Sequence, residues 1–399
     1  MRASYVRLQI HTIGTGGIIL PYITMMQTPR THQVTLEEIL KGEVNVDFLP
    51  LEGQDTTGTV TRFYEAINAG IIRKANIPSM INALEVFVGK FDSLYGVARE
   101  SLYDTFVIPK KSGGLRRINA PHEPLMEALR ELKSIFEDKM FALYHTAAFA
   151  YVKRRNTLDA IKRHQANESK WFEKTDFSDF FGSTTMAFVL GMMRIIFPFS
   201  EIMKDEKGRW FLEKALELCF LNGGLPQGTP ISPMLTNLMM IPIDHALYND
   251  FRKKGFVYTR FADDIQISSR YEFDPHEVVR KIDEVLAKFN APFKIKPAKT
   301  RYGSSSGRNW NLGLMLNRNN AITIGYQAKK RFKAMCSNYI QDRRNGIRWD
   351  LHDIQALSGL KAYYMMVERE YICYVIAHLN KKYNVNLVRM IRADLRGDP

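Results

Sequence analysis

The sequence predicts an α+β protein, and three observations carry that expectation. Short runs rich in β-branched and aromatic residues come in pairs across turn formers, as in Tyr103–Pro109 with Leu115–Ala120 and Phe256–Phe261 with Ile265–Ser269. Longer runs between them repeat apolar residues at spacings of three and four, the signature of amphipathic helices. From Gln327 onward the pattern is largely helical and basic. Hairpins interspersed with helices favour antiparallel strands packed against helices.

Composition bounds the function classes. The chain has 399 residues, 45% of them hydrophobic and 25% charged, long enough for two or three subdomains with real cores. Its 56 basic and 42 acidic residues leave a net charge of +14, which points to a polyanionic partner. Cys219, Cys336 and Cys373 are scattered and odd in number, so no disulfide framework or structural zinc site is expected, and a reducing cytoplasm fits. No apolar run reaches the length of a membrane span. The stretch Gly16–Met26 loosely resembles a signal-peptide core but lacks a clean small-residue cleavage site, so secretion is not expected.

Residues 1–75 mix apolar patches with turn formers and show no readable chemistry. A helix is expected over Ile77–Lys90. Tyr103–Pro109 and Leu115–Ala120 then form a hairpin with the basic turn Lys110-Lys-Ser-Gly-Gly114 at its tip. An amphipathic helix is expected over Glu123–Tyr144, with Leu125, Leu129, Leu132, Ile135 and Phe136 on one face, and another over Thr157–Gln165. Trp171–Asp176 reads as a strand, followed by the aromatic knot Phe177-Ser-Asp-Phe-Phe181 and helices to about Leu221. The loop Asn222–Pro230 precedes a helix over Ser232–Tyr248. After the hairpin around Asp263 come a helix over Pro275–Phe289, a short strand at Phe293–Ile295, and a hairpin over Trp310–Ile324 turned by Asn317–Asn320.

The chemistry centres on Phe261-Ala-Asp-Asp264. Asp-Asp in a hairpin turn is by itself ordinary turn chemistry. Pushed out of an apolar sheet, however, adjacent carboxylates need positive compensation, and a divalent metal is the natural candidate. Asp176 ends a strand and is alone as readily a helix cap before Phe177. If it shares a sheet with Asp263 and Asp264, the three supply enough oxygen ligands for two hard cations about 4 Å apart, the arrangement of nucleotidyl transfer.

The string Gly224-Leu-Pro-Gln-Gly-Thr-Pro-Ile-Ser-Pro233 is the third anchor, and with it the chain resembles prokaryotic reverse transcriptases of the retron, group II intron and defence-associated lineage. The matching blocks run in the family's order from about Phe106 to Gly313: Val107–Ile118, Phe172–Phe181, the Pro-Gln-Gly loop with Ser232-Pro233, Phe261–Asp264, Pro297–Thr300 and Asn311–Leu314. The resemblance implies a right-hand polymerase fold. Residues 1–75 would be an extension of unclear role, 76–170 fingers with parts of the palm, 171–310 palm, and 311–399 a hairpin and basic helical thumb. It also implies roles. Asp176 and Asp263 would bind two Mg2+ ions, with Mn2+ as a substitute, assisted by Asp264 and the backbone carbonyl of Phe177. Lys110 or Lys111, with Arg116, would grip the incoming triphosphate. Phe181 would gate against a ribose 2′-hydroxyl, Gln227 would contact the nucleotide near its sugar and the templating pair, and Lys299 would protonate the leaving pyrophosphate, although a solvated lysine is the plainer reading.

The implied activity is RNA-directed DNA synthesis from dNTPs on a primer–template duplex. A dedicated noncoding RNA would be the template, in antiviral defence or a retroelement, with a homo-oligomer or an accessory effector protein as further partners. Untemplated or protein-primed synthesis is the alternative. A basic RNA-binding module without chemistry is disfavoured by the retained Asp176, Asp263, Asp264, Gln227 and Arg116. Departures from the retron pattern favour a neighbouring, defence-associated branch. Asn311-Leu-Gly313 replaces Val-Thr-Gly, and Asp159-Ala-Ile-Lys-Arg-His164 differs from Asn-Ala-x-x-His in its first residue and is one residue longer. Separately, Phe261 stands where the family usually has tyrosine, which keeps a ring and loses a hydroxyl, so polymerisation should survive. Ser232-Pro233 also differs from the Ser-Gln ending common in diversity-generating retroelements. The roughly 90 residues after Asn311 suit a thumb and leave little room for an RNase H or endonuclease domain.

Overall fold

The computed structural model describes residues 8–11, 22–25, 76–109, 113–140, 144–305 and 312–397. Strands β1 (Leu8–His11) and β2 (Tyr22–Met25) pair antiparallel, Leu8 opposite Met25. The rest is built on two cores. The larger runs from Met80 to Phe293, and the smaller joins Leu158, Ile161 and Phe172 to residues Leu314–Ile391.

Helix α1 (Ile77–Lys90) starts on Asn76, whose side chain accepts from Ser79 N, and buries Leu84 and Phe87. Strands β3 (Tyr103–Pro109) and β4 (Leu115–Pro121) form the expected hairpin. It is largely exposed, and Ile108 stands opposite Arg116. Helix α2 spans Glu123–Ser134 and ends in a π-helical turn over Ile135–Lys139, so it closes before the expected Tyr144. Its apolar face meets the core through Leu125, Leu129 and Leu132, each fully buried and worth about 1.5–3 kcal/mol. Helix α3 (Thr157–Ala166) carries a capping box between Asn156 and Asp159.

The central sheet follows. Strand β5 (Trp171–Asp176) leads into helices α4 (Phe180–Ser183), α5 (Met186–Met193), α6 (Phe199–Ile202) and α7 (Glu206–Glu217). The helix expected over Ser232–Tyr248 is two, α8 (Ser232–Met239) and α9 (Ile241–Lys253). Pro242 explains the break, because it has no N–H to give back to the preceding turn and its ring crowds the carbonyl four residues earlier. Strands β6 (Val257–Phe261) and β7 (Asp264–Ser269) form the Asp-Asp hairpin, and helix α10 covers Pro275–Lys288. The strand expected at Phe293–Ile295 is a single bridge, Ile295 to Phe177, in a segment confined by Pro292 and Pro297. A strand the sequence did not announce, β8 (Arg301–Ser304), adds to the sheet edge instead.

The sheet order is β6-β7-β5-β8, all antiparallel. Paired residues share a face, so Phe172, Lys174, Asp176, Asp264 and Gln266 form the front and Glu173, Thr175, Tyr258, Arg260, Ile265 and Ile267 the back. Phe172 belongs to the second core, about 13 Å along the strand from Asp176. One face therefore carries the acids at one end and the smaller core at the other. That core is built on the short hairpin β9 (Met315–Leu316) and β10 (Ile322–Thr323), turned at Asn317–Ala321 as expected, and on helices α11 (Gly325–Arg344), α12 (Leu351–Val367), α13 (Arg369–Tyr383) and α14 (Leu387–Arg396). Trp310 and Asn311 lie outside the described residues. Among the described residues no helix is long and apolar enough to cross a membrane.

Candidate active site

The register decides the site. Phe261 pairs with Asp264, which leaves Ala262 and Asp263 as the two-residue hairpin loop. Ala262 sits at φ +59°, a left-handed conformation costing an alanine about 1 kcal/mol or more. Asp264 opens β7 directly opposite Asp176, the last residue of β5, so the two carboxylates lie side by side on the front face. Asp263 joins them at the tip, where its carbonyl accepts from Phe177 N at 3.1 Å. Lys296 N donates to the carbonyl of Asp176 at 2.8 Å, fixing the strand end from the other side.

The electrostatics are crowded. Asp176 is buried and ion-paired to Lys299, and Lys174 Nζ lies 3.1 Å from Asp264 Oδ2. No described cation forms an ion pair with Asp263. Burial first, and then the charge of Asp176, push its carboxyl up to about 6. Burial also raises Asp264, against the opposing pull of Lys174. Three acids with two lysines, one of the acids raised by burial and by its acidic neighbour, form a donor set that fits a hard divalent cation. The tightest trio of acid and histidine groups among the described residues lies elsewhere. Asp350, His352 and Asp353 are exposed, with Asp350 capping α12, and that arrangement is ordinary helix-start chemistry.

The Phe177 ring packs against Phe180 and Phe293, so only its main chain is available to the acids. Phe181 is half-buried at the edge of the larger core, and its carbonyl accepts from Leu225 N at 3.0 Å. That contact joins the aromatic knot to the Pro-Gln-Gly loop. A Cβ on Gly224 would stand 2.0 Å from the carbonyl oxygen of Gly182, which is why glycine is required there. The carbonyl of Gln227 accepts from Asn119 N at 2.7 Å, so the loop is also fastened to strand β4. Arg116 is exposed on the same strand. Lys110 and Lys111 lie outside the described residues. Lys299 is half-exposed with its ammonium on Asp176, a contact that raises its pKa.

Two features escaped the sequence reading. Tyr151 is 57% exposed at φ +59° and feels the charges of both Asp263 and Arg116, which puts it near the acids and near the β3–β4 hairpin. Its only sequence signal was an aromatic in a connecting segment. His164, noted for its unusual spacing, is fully buried and bonds Ser268 Oγ at 2.6 Å and Thr259 Oγ1 at 2.8 Å, tying α3 to β6 and β7. Burial pushes its imidazole down to about 3, so it is a neutral structural bridge.

A family model described as "Reverse transcriptase (RNA-dependent DNA polymerase)" matches residues 108–333. The chain is 25% identical to the Retron Ec83 reverse transcriptase of Escherichia coli, across 76% of this chain and 93% of that one. It is 29% identical to the Retron Mx162 reverse transcriptase of Myxococcus xanthus, across 54% of this chain and 47% of that one, so it spans about half of that relative's length. The Retron Ec73 reverse transcriptase of Escherichia coli is 27% identical, across 69% of this chain and 85% of that one. All three are retron enzymes, and the defence-associated branch gains nothing from them.

Proposed function

The chain belongs to the reverse transcriptase (RNA-dependent DNA polymerase) family, and from that premise we propose that it makes DNA on a dedicated noncoding RNA by two-metal nucleotidyl transfer. It is an RNA-directed DNA polymerase; the metals, the residue roles, the template and the biological setting are the proposal. One observation carries it: Asp176 and Asp264 are register partners, and Asp263 stands beside them in no ion pair with a described cation. Asp176, Asp263 and Asp264, with the carbonyl of Phe177, would hold the ions. Two Mg2+ ions, or Mn2+ in their place, supply when bound the charge that activates the primer hydroxyl and steadies the leaving pyrophosphate.

The chain's own residues do the rest. Arg116, with Lys110 or Lys111, grips the triphosphate from the fingers hairpin, where a forked guanidinium suits paired oxygens. The Phe181 ring offers a 2′-hydroxyl a steric clash and no hydrogen-bond partner. Gln227, fixed through its carbonyl to Asn119, faces the nucleotide at its sugar and the templating pair. Lys299 donates a proton to the pyrophosphate from the edge of the acids. The basic helices α11–α14 track the primer–template duplex through its phosphates and shape. The retron names of the relatives support a noncoding RNA template, and antiviral defence by a cytoplasmic enzyme, with a second copy or an effector protein as partner, is the setting proposed.

Supplying one dNTP at a time, with and without RNA of known sequence, tests this reading. Incorporation should follow the template base and cease without RNA. Products whose composition ignores the template would replace it with untemplated or protein-primed synthesis.

A further inference from the structure

The residue before the catalytic turn is Arg260, on the back of the sheet, with a side chain wholly shut off from solvent. A guanidinium buried this deeply needs every donor used. Nε donates to Asp244 Oδ1 at 2.9 Å and one terminal nitrogen to Asp244 Oδ2 at 2.7 Å, a two-pronged pair with an equally buried carboxylate. The other terminal nitrogen reaches the carbonyl of Ala262 at 2.9 Å and Asn237 Oδ1 at 3.1 Å. Tyr258 Oη donates to Asp244 Oδ1 at 2.7 Å.

These contacts connect distant parts of the site. Asn237 lies on α8, the helix that leaves the Pro-Gln-Gly loop, and its amide donates to the carbonyl of Ala150 at 2.7 Å, one residue before Tyr151. Asp244 lies on α9. The main chain of Arg260 is held too, donating to Ala147 O at 2.7 Å and accepting from Phe149 N at 2.9 Å. One guanidinium thus joins the strained Ala262 of the Asp263 loop to the helix behind the nucleotide loop and to the base of Tyr151. A buried ion pair is weak evidence for stability, and one known use of such pairs is to specify a conformation.

We propose that Arg260 is the positioning residue of the catalytic turn. Anchored by Asp244 and Asn237, it fixes the Ala262 carbonyl and thereby the orientation of Asp263 toward divalent cation; this rests on the reading of Asp263 as a metal ligand. It touches neither substrate nor metal.

The test removes the tether while sparing the fold. In the double variant Arg260→Met with Asp244→Asn, the buried charges go together, and the asparagine still accepts from Tyr258. The thermal midpoint and template–primer affinity of the full-length chain should stay near wild type. Mn2+ affinity, read by electron paramagnetic resonance in the presence of template–primer, should fall about tenfold. kcat for dNTP addition should fall roughly 100-fold with little change in KM. A folded double variant with wild-type Mn2+ affinity and kcat overturns the proposal. Should the double variant not fold, Arg260→Lys decides on the same readouts, because one ammonium keeps the charge against Asp244 but cannot span all four acceptors; unchanged Mn2+ affinity and kcat there overturn it equally. Asp263→Asn is run beside both. If that variant polymerises normally, the metal-ligand reading has failed; if it is inactive while the tether variants work normally, only the positioning role has.

Discussion

Strand β5 carries two buried acids on opposite faces, and they meet opposite fates. On the front, Asp176 lies among Asp263, Asp264, Lys174 and Lys299. On the back, Glu173 is fully buried opposite Ile267 and Tyr302, and neither of its carboxyl oxygens has a hydrogen-bond partner among the described residues. Burial, helped by the charge of Asp274, pushes Glu173 up to about 8, so it keeps its proton at neutral pH. A lone buried acid can neutralise itself this way. A cluster that has to stay ionised cannot, and it needs external positive charge. Position along one strand does not separate the two cases; the charges on each face do.

The strongest way to break this comparison is Asp263→Asn. Loss of the proposed metal ligand should lower dNTP incorporation by about 10³-fold or more while RNA binding stays nearly intact, as measured by primer extension beside filter binding. Near-normal extension would make the front face as inert as the back.

Gly224→Ala comes next. Its methyl would meet the Gly182 carbonyl, so the Pro-Gln-Gly loop has to shift away from Gly182. A loss of about 1–3 kcal/mol in stability is expected, together with a rise in the KM for dNTP. Thermal unfolding and steady-state kinetics would show whether the close approach matters.

Phe181→Ala sharpens the front face further. Discrimination against ribonucleotides should fall by about tenfold or more, read from the ratio of kcat/KM for the two sugars. Unchanged selectivity would leave Phe181 as ordinary core.

Glu173→Gln should have the smallest effect, with polymerisation near wild type at pH 7. Its signature is the pH dependence of stability. Because the folded pKa of Glu173 lies above its ordinary value of 4.5, the wild type is favoured at low pH and loses stability as pH rises toward about 8. The thermal midpoint of the glutamine variant relative to wild type should therefore climb between about pH 4.5 and 8 and level off above that. A flat difference would mean that Glu173 ionises normally.

Much of this was readable from residue order. The hairpins at 103–121 and 257–269, the capped helices, and Asp176 as the end of a strand all follow from local pattern and turn chemistry. Local rules also explain two misses. The break at Pro242 had its cause in plain sight, and Phe293–Ile295 had strand-like residues but prolines at both ends. Strand β8 had no such signal, because Arg301-Tyr-Gly-Ser304 becomes a strand only when β5 offers it an unpaired edge.

What the sequence alone determined was the set of chemical groups and their order: three aspartates, a glycine-rich loop and a cationic hairpin in a basic chain. Those are properties of residue type and spacing. Tertiary structure decided which groups meet. It placed Asp264 opposite Asp176 by strand register, left Glu173, three residues back, on the opposite face to be buried without a described hydrogen-bond partner, and brought Arg260, Asp244, Asn237 and Ala262 into one buried network. These are contacts between residues that are mostly far apart in the chain, and their free energies depend on burial and on neighbouring charge, neither of which a local sequence pattern contains.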